Sequence, residues 1–344
     1  MRKKTLPLLK NGRNESPHVV ILGAGASLAS LPNGDKYGRK VPLMNNIVEM
    51  VSLQPILDKY GIKYTGNNFE SFYDDLANNS GNEALLQEIE EAIHGYFGAM
   101  ELPDSCTLYD YLVLSLREKD IIATFNWDPF LAQAFQRNMH VTHNMPKIAF
   151  LHGNVSVGCC IEHEQKGFLN GVKCGGCNDL LRPTKLLYPV KKKNYQNDEF
   201  IQQEWEGLRR HIRRAYIMTI FGYSAPATDV EAIELMLEVW KNNTTKSFSM
   251  IHIIDIKDEK EVEKSWKDFT TWSFSVIQRL QEEYLFRHPR RSCDAFAMAT
   301  LQQCPWQENR FPEFKTLSEL HNWIKPLIKE EEMNSVLSSK GTLN

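Results

Sequence analysis

A chain of 344 residues, 42% hydrophobic and 24% charged, holds enough apolar material for one large or two modest domains. Its formal net charge of -3 lacks the basic excess of a nucleic-acid binder, and no run approaches the roughly 18 consecutive apolar residues of a membrane span. The basic start, MRKKTLPLLKNGRNESP, has too short an apolar run for a signal-peptide core, so a cytoplasmic protein is expected.

Val19 to Leu22 is a continuous apolar run rich in β-branched residues, which predicts a central parallel strand. It leaves through Gly23-Ala24-Gly25 and stops short of the third glycine of a dinucleotide fingerprint. A helix beginning near Ser27 would point its N-terminus at an anion. From Pro42 the character changes. NNIVEMVSLQPILDKY and EALLQEIEEAIHGYFGAM carry apolar residues at helical spacing, with Leu85, Leu86, Ile89, Ile93, Tyr96, Phe97 and Met100 on one stripe. They predict a helical insertion ending near Pro103.

CTLYDYLVLSL continues as a helix, and DIIATFNWD as a strand that stops on polar residues. KIAFLHGN is a short strand ending in His152-Gly153, and the Cys/Gly-rich segment from Gly158 to Leu181 reads as loops. YIMTIFGYS and MIHIIDI are further buried strands, separated by the helix DVEAIELMLEVW. This alternation predicts an α/β fold, a parallel sheet with helices on both faces. The expected organisation is a sheet domain over 17–41, 104–157 and 182–330, with a helical insertion over 42–103. A metal-binding module covers 158–181, and a polar tail over 331–344 should fray. The basic clusters Lys191–Lys193, Arg209–Arg214 and Arg290–Arg291 read as solvated faces.

Open α/β sheets bind ligands beyond the carboxyl ends of their strands. Here the strands finish in Gly23-Ala24-Gly25-Ala26-Ser27, in Thr124, Asn126 and Asp128, in His152-Gly153, in Gly222, Tyr223 and Ser224, and in Asp255. Asp128, ahead of Pro129, also suits a helix N-cap. Four of the seven cysteines crowd between Cys159 and Cys177. Cys160-x-x-His163 and Cys174-x-x-Cys177 supply two ligand pairs, each at the gap that grips one ion from a tight turn. Four N/S ligands with no open position make a structural zinc site, with Cys159 as the alternative to Cys160.

Together these segments resemble the sirtuins, taken broadly to include the sirtuin-like NAD glycohydrolases of bacterial antiphage defence. Gly23-Ala24-Gly25-Ala26-Ser27 is similar to the family's Gly-Ala-Gly-x-Ser, and Thr124-Phe125-Asn126-Trp127-Asp128 to its Thr-Gln-Asn-x-Asp. Leu151-His152-Gly153 matches Leu-His-Gly, and Leu181-Arg182-Pro183 follows a cysteine pair as Leu-Arg-Pro does. The resemblance covers roughly residues 18 to 256, and the motifs stand in the family's order. It implies a Rossmann-like fold binding NAD across the sheet, beside a small domain made of a helical module and a zinc module. His163 departs from the family's all-cysteine zinc pattern.

By the resemblance, Asp128 holds the nicotinamide carboxamide and Asn126 positions a water or ribose hydroxyl at the anomeric carbon. His152 is the general base, acting through the ribose hydroxyls. Ser27 with the Gly23-Ala24-Gly25 turn, and Gly222 with Ser224, grip the phosphates; Asp255 accepts hydrogen bonds from the adenosine ribose. Deacylases continue from the glycine turn into Gly-Ile-Pro-Asp-Phe-Arg, where this chain has Leu31-Pro32-Asn33-Gly34-Asp35. Their peptide-pairing Phe-Gly-Glu segment is replaced by LLYPVKKK around Tyr188 and Pro189. FGYSAPATDVEA resembles the glycohydrolase branch, whereas the zinc module is a deacylase feature.

These departures favour NAD hydrolysis over lysine deacylation, with an NAD sensor that does not turn over as a third reading. A hydrolase of this kind must be held inactive, so a separate activating or regulatory protein is expected. Oligomerisation stays open, and neither membrane nor direct nucleic-acid binding is expected.

Overall fold

The computed structural model describes residues 9–10, 13–66, 68–190, 195, 197–224, 229–245, 249–269 and 274–340. A two-residue ladder, β1 (Leu9–Lys10) with β2 (Arg13–Asn14), leads into β3 (His18–Leu22) and α1 (Ala24–Ser30). Then come α2 (Ile47–Met50), α3 (Gln54–Lys59), α4 (Phe69–Ala77), α5 (Glu83–Gly98) and α6 (Leu108–Ser115). β4 (Ile121–Thr124), α7 (Phe130–Asn138) and β5 (Lys147–Phe150) follow. Next are β6 (Val157–Cys160), β7 (Gln165–Phe168), β8 (Arg182–Pro183) and α8 (Glu199–Ile212). The remainder is β9 (Ile217–Phe221), α9 (Val230–Lys241), β10 (Met250–Ile254), α10 (Glu259–Trp266), β11 (Phe274–Ile277), α11 (Tyr284–Arg287), α12 (Ser292–Leu301) and α13 (Leu317–Lys340).

Six strands form one parallel sheet in the order β11-β10-β9-β3-β4-β5. Counted by appearance this is the doubly wound order, and its direction reverses between β3 and β9. The apolar continuity of β3 has its cause here. Val20 and Leu22 face one core, shared with the helical insertion and α6; Val19 and Ile21 face a second, shared with Trp205, Trp240 and Trp266 of α8, α9 and α10. All four are fully buried. In the insertion, the α5 stripe buries Leu85, Ile89, Ile93 and Phe97, as its spacing predicts.

The structure corrects the sequence reading at several places. The segment read as loops carries the antiparallel sheet β7-β6-β8, whose strands are too short to show a period. The helix expected near Ser27 begins at Ala24. The expected tail is helical through Lys340, and residues 341–344 lie outside the described residues, as do Lys191–Lys193 and residues 225–228 of FGYSAPATDVEA.

Arg290, read as part of a solvated face, is 1% exposed. Its guanidinium donates to Glu331 Oε1 (2.7 Å) and Oε2 (2.8 Å) and to the carbonyls of Leu116 (3.1 Å) and Asn144 (2.9 Å), fastening α13 to the sheet domain. Arg209 and Arg213 do lie on a charged surface, paired with Glu238 and Glu206. Deeper, His18 bonds Ser292 and Thr219, and His252 bonds Glu283, which joins the C-terminal helices to β3, β9 and β10. No described helix is long and apolar enough to cross a membrane.

Candidate active site

The loops after β3, β4, β5 and β9 open onto one cleft of about 390 Å3, at the point where the strand order reverses. Gly23, Ala24, Asn126, Asp128, His152, Gly222 and Ser224 line it; Gly25, Ser27 and Asp255 do not. Gly222 has φ +64, and a Cβ there would lie 2.2 Å from the Ala26 nitrogen. No side chain fits where these two loops touch. The contact is sealed by Gly23 N–H to Phe221 O and Gly25 N–H to Gly222 O, both 3.0 Å. The glycines therefore serve loop-to-loop packing first. The Ala24 N–H makes no bond among the described residues and borders the cleft.

Because α1 starts at Ala24, Ser27 lies one turn inside the helix and is fully buried behind the cleft. Its hydroxyl meets Asp128 Oδ2 (2.6 Å), Tyr109 Oη (2.6 Å) and Asn126 Nδ2 (3.0 Å). A serine has one hydrogen to give and two lone pairs to fill, so donation to Asp128 leaves it accepting from the other two. Asn126 Nδ2 also donates to Gly23 O at 2.9 Å. Both amide hydrogens are thus engaged with the protein, while its oxygen makes none of these bonds.

Burial pushes the Asp128 carboxyl up to about 6, against the Ser27 hydrogen bond that lowers it, and drives the Tyr109 phenol far above its ordinary range. The capping alternative has some substance, because Asp128 Oδ1 accepts from Phe130 N–H at 3.3 Å, where α7 starts.

His152 is 6% exposed and its Nε2 lies 2.9 Å from Tyr195 Oη. Phe125 meets the imidazole edge-on at 4.9 Å and stacks on Tyr223 at 4.2 Å. Gly153 follows His152 with φ +74; a Cβ there would strike Lys185 O at 2.1 Å, which explains the Leu-His-Gly ending. Leu187 N–H then bonds His152 O at 3.0 Å and holds the segment. Three carboxylates, those of Glu70, Asp128 and Asp229, line the cleft, with no lysine or arginine among the described lining residues.

The metal module assembles as its spacing predicts. The ligand atoms of Cys160, His163, Cys174 and Cys177 all lie within 4.8 Å of one another. Cys160 Sγ is 3.8 Å from Cys177 Sγ and 3.4 Å from His163 Nδ1. A tetrahedral ion with Zn–S near 2.3 Å has edges of about 3.5–3.8 Å, so these two separations match, and all four donors are of the type zinc takes. Gly176 has no room for a side chain, since a Cβ would sit 2.1 Å from the His163 ring. Cys159 is excluded from the set. Alternation along β6 turns it into the second core, where burial raises its thiol pKa.

Sequence reasoning missed Tyr109, Asn154, Tyr195 and Asp229. Asn154 Nδ2 holds Asp128 O at 2.7 Å and stands two residues past His152, a signal that was available. Tyr109 lay hidden in an apolar helix, and Asp229 reaches the site through Tyr223 Oη at 3.1 Å. Asp255 sits at the end of β10 with its carboxylate accepting from Lys257 N–H.

Fold and site define a Rossmann-like α/β protein with a four-ligand metal module and a cleft at the switch point of its sheet. No protein-family model matches the chain, and no curated protein does. Among solved structures it is similar to a Sir2 in complex with an inhibitor, 2'-O-acetyl-ADP-ribose and a deacetylated peptide. That match has 17% identity, 83% of this chain and 94% of that one covered, and TM-score 0.35. It is also similar to a mutant Sir2 homologue in complex with ADP ribose (15%, 74% and 94% covered, TM-score 0.33). A structure concerned with sirtuin substrate affinity matches at 20% identity, 73% and 91% covered and TM-score 0.32.

Proposed function

We propose that the protein is an NAD+ glycohydrolase that cleaves the bond between nicotinamide and ribose. The observation that carries this reading is the convergence of Asn126, Asp128 and His152 on one cleft at the switch point. Nicotinamide leaves as a neutral ring from a cationic one, so the C1'–N bond breaks with its electron pair going to the ring. An oxocarbenium-like sugar results, and the carboxylates that border the cleft suit that charge. Water then adds at C1', and its proton passes to His152, directly or through the ribose hydroxyls. Asn126, locked through its nitrogen, offers its amide oxygen to orient that water. Asp128 takes the carboxamide. Ala24 N–H, Gly222 and Ser224 border the phosphates, with Asp255 at the adenosine ribose and Ser27 bracing Asp128 from behind.

Hydrolysis is preferred to lysine deacylation because of Tyr188 and Pro189. Tyr188 packs against Tyr73 (5.3 Å) and Trp127 (5.1 Å) and donates to Glu90 O, and Pro189 has no N–H to offer a substrate strand. On the resemblance to antiphage glycohydrolases, the cellular role is NAD depletion during infection, released by a separate activating protein. The test is purified protein with NAD, with and without an acetyl-lysine peptide, with products separated by chromatography. Nicotinamide and ADP-ribose without peptide are expected. Loss of about 10²–10⁴-fold in His152→Ala should accompany this. Nicotinamide release that depends strictly on the peptide would replace the reading with deacylation.

A further inference from the structure

A second cavity, of about 650 Å3, lies between the outer edge of β5, the strand β7 and helix α8, and shares no lining residue with the first cleft. An edge strand invites another strand to pair with it, but this edge is occupied by side chains. Phe150 N–H donates to Glu204 Oε2 at 2.7 Å, and Lys166 Nζ donates to Ile148 O at 2.5 Å and to Glu204 Oε1 at 2.6 Å. An added peptide strand would have to break that half-buried pair, so the groove is closed to β-addition while its apolar body stays open.

Helix α8 presents Phe200, Gln203, Glu204, Gly207, Arg210 and His211 to it, a stripe at helical spacing. A glycine in the middle of a helix weakens it. Gly207 has a negative φ, and a Cβ there would meet nothing within 4 Å, so the missing side chain serves neither backbone nor packing. What it does is leave the groove open. Lys147 and Arg210, both exposed on the lining, have no acidic partner among the described residues, and Glu204 is already matched by Lys166. Glu164 is the remaining carboxylate on the lining.

We infer that this groove binds an amphipathic anion of the acyl-carboxylate class, its head at Lys147 and Arg210 and its chain against Ile148, Phe150, Phe168 and Phe200. The volume suits a single medium-length chain, and the free cations select against neutral or cationic heads. The inference stands apart from the NAD reading, since none of its residues touches the first cleft.

Dodecanoate, below its micelle-forming concentration, is the probe, followed by titration calorimetry on the full chain. Saturable binding of one molecule per chain is expected, at least about tenfold tighter than dodecylamine. Gly207→Leu should abolish binding with the thermal melt intact, and the double variant Lys147→Ala, Arg210→Ala should weaken it about tenfold or more. Should Gly207→Leu fail to fold, the double variant decides. Absence of saturable heat, equal affinity for dodecylamine, or unchanged affinity in a folded Gly207→Leu or in the double variant would overturn the inference.

Discussion

Asp128 is held between burial, which disfavours its charge, and the Ser27 hydroxyl, which favours it; burial dominates and the folded-state value rises to about 6. The consequence for stability has a definite sign. Between the unfolded value near ~3.9 and the folded value, the native state binds the extra proton. This contribution is fully present below about pH 4 and is lost as pH rises through 6, on the order of 2–3 kcal/mol. Asp128→Asn keeps an acceptor for Ser27 and removes the charge. It should therefore melt higher than wild type at pH 8 and lose the fall between pH 4 and 6, while NAD turnover drops. Thermal melts across pH check this; an unchanged melting profile would mean the carboxyl ionises normally.

Tyr195→Phe removes the hydrogen bond to His152 Nε2. It should lower turnover about fivefold to tenfold, the equivalent of ~1 kcal/mol, and displace the pH–rate profile, which a pure packing role would not do. Asn126, Asp128 and His152 were readable as polar residues ending buried strands. The direction of Ser27 was not, because a helix start displaced by three residues turns a side chain from cleft to core.

The zinc module shows what spacing does and does not specify. Two residue pairs in a tight-turn pattern picked out the four side chains that the fold brings together, because coordination geometry constrains gap length. The strands carrying them were invisible, since β6 and β7 are four residues each and interrupted by Gly158 and Gly167. The choice between Cys159 and Cys160 became decidable only once β6 was a strand, with adjacent residues on opposite faces. Cys160→Ala should lose stoichiometric metal, whereas Cys159→Ala should keep it and lose only packing. Ligand binding energy is folding energy in such modules, so a strong chelator should lower the melting temperature of wild type and Cys159→Ala alike. Metal analysis of the purified variants decides; a Cys159→Ala protein without zinc would reverse the assignment.

At the scale of the whole molecule, the doubly wound sheet was legible because its inner strands are apolar on both faces. The C-terminal layer was not. Arg290 and Glu331 stand 41 residues apart in runs of charge that read as solvent-facing, and only the fold brings them together. Glu331 is 4% exposed and also accepts from Asn144 Nδ2 at 3.2 Å, so the pair is dry and closely matched. Such a pair need not exceed a hydrophobic replacement in stability, yet removing one member strands the other charge. Glu331→Ala should therefore cost about 3–5 kcal/mol, read as a lower urea midpoint. The double variant Arg290→Met, Glu331→Leu removes both charges but also strips donors from the carbonyls of Leu116 and Asn144. Its cost should settle at about 1–3 kcal/mol, the penalty for carbonyls left unpaired. A double variant as unstable as Glu331→Ala would show that the guanidinium acts chiefly on those carbonyls. A single variant with no loss would place α13 outside the cooperative unit altogether.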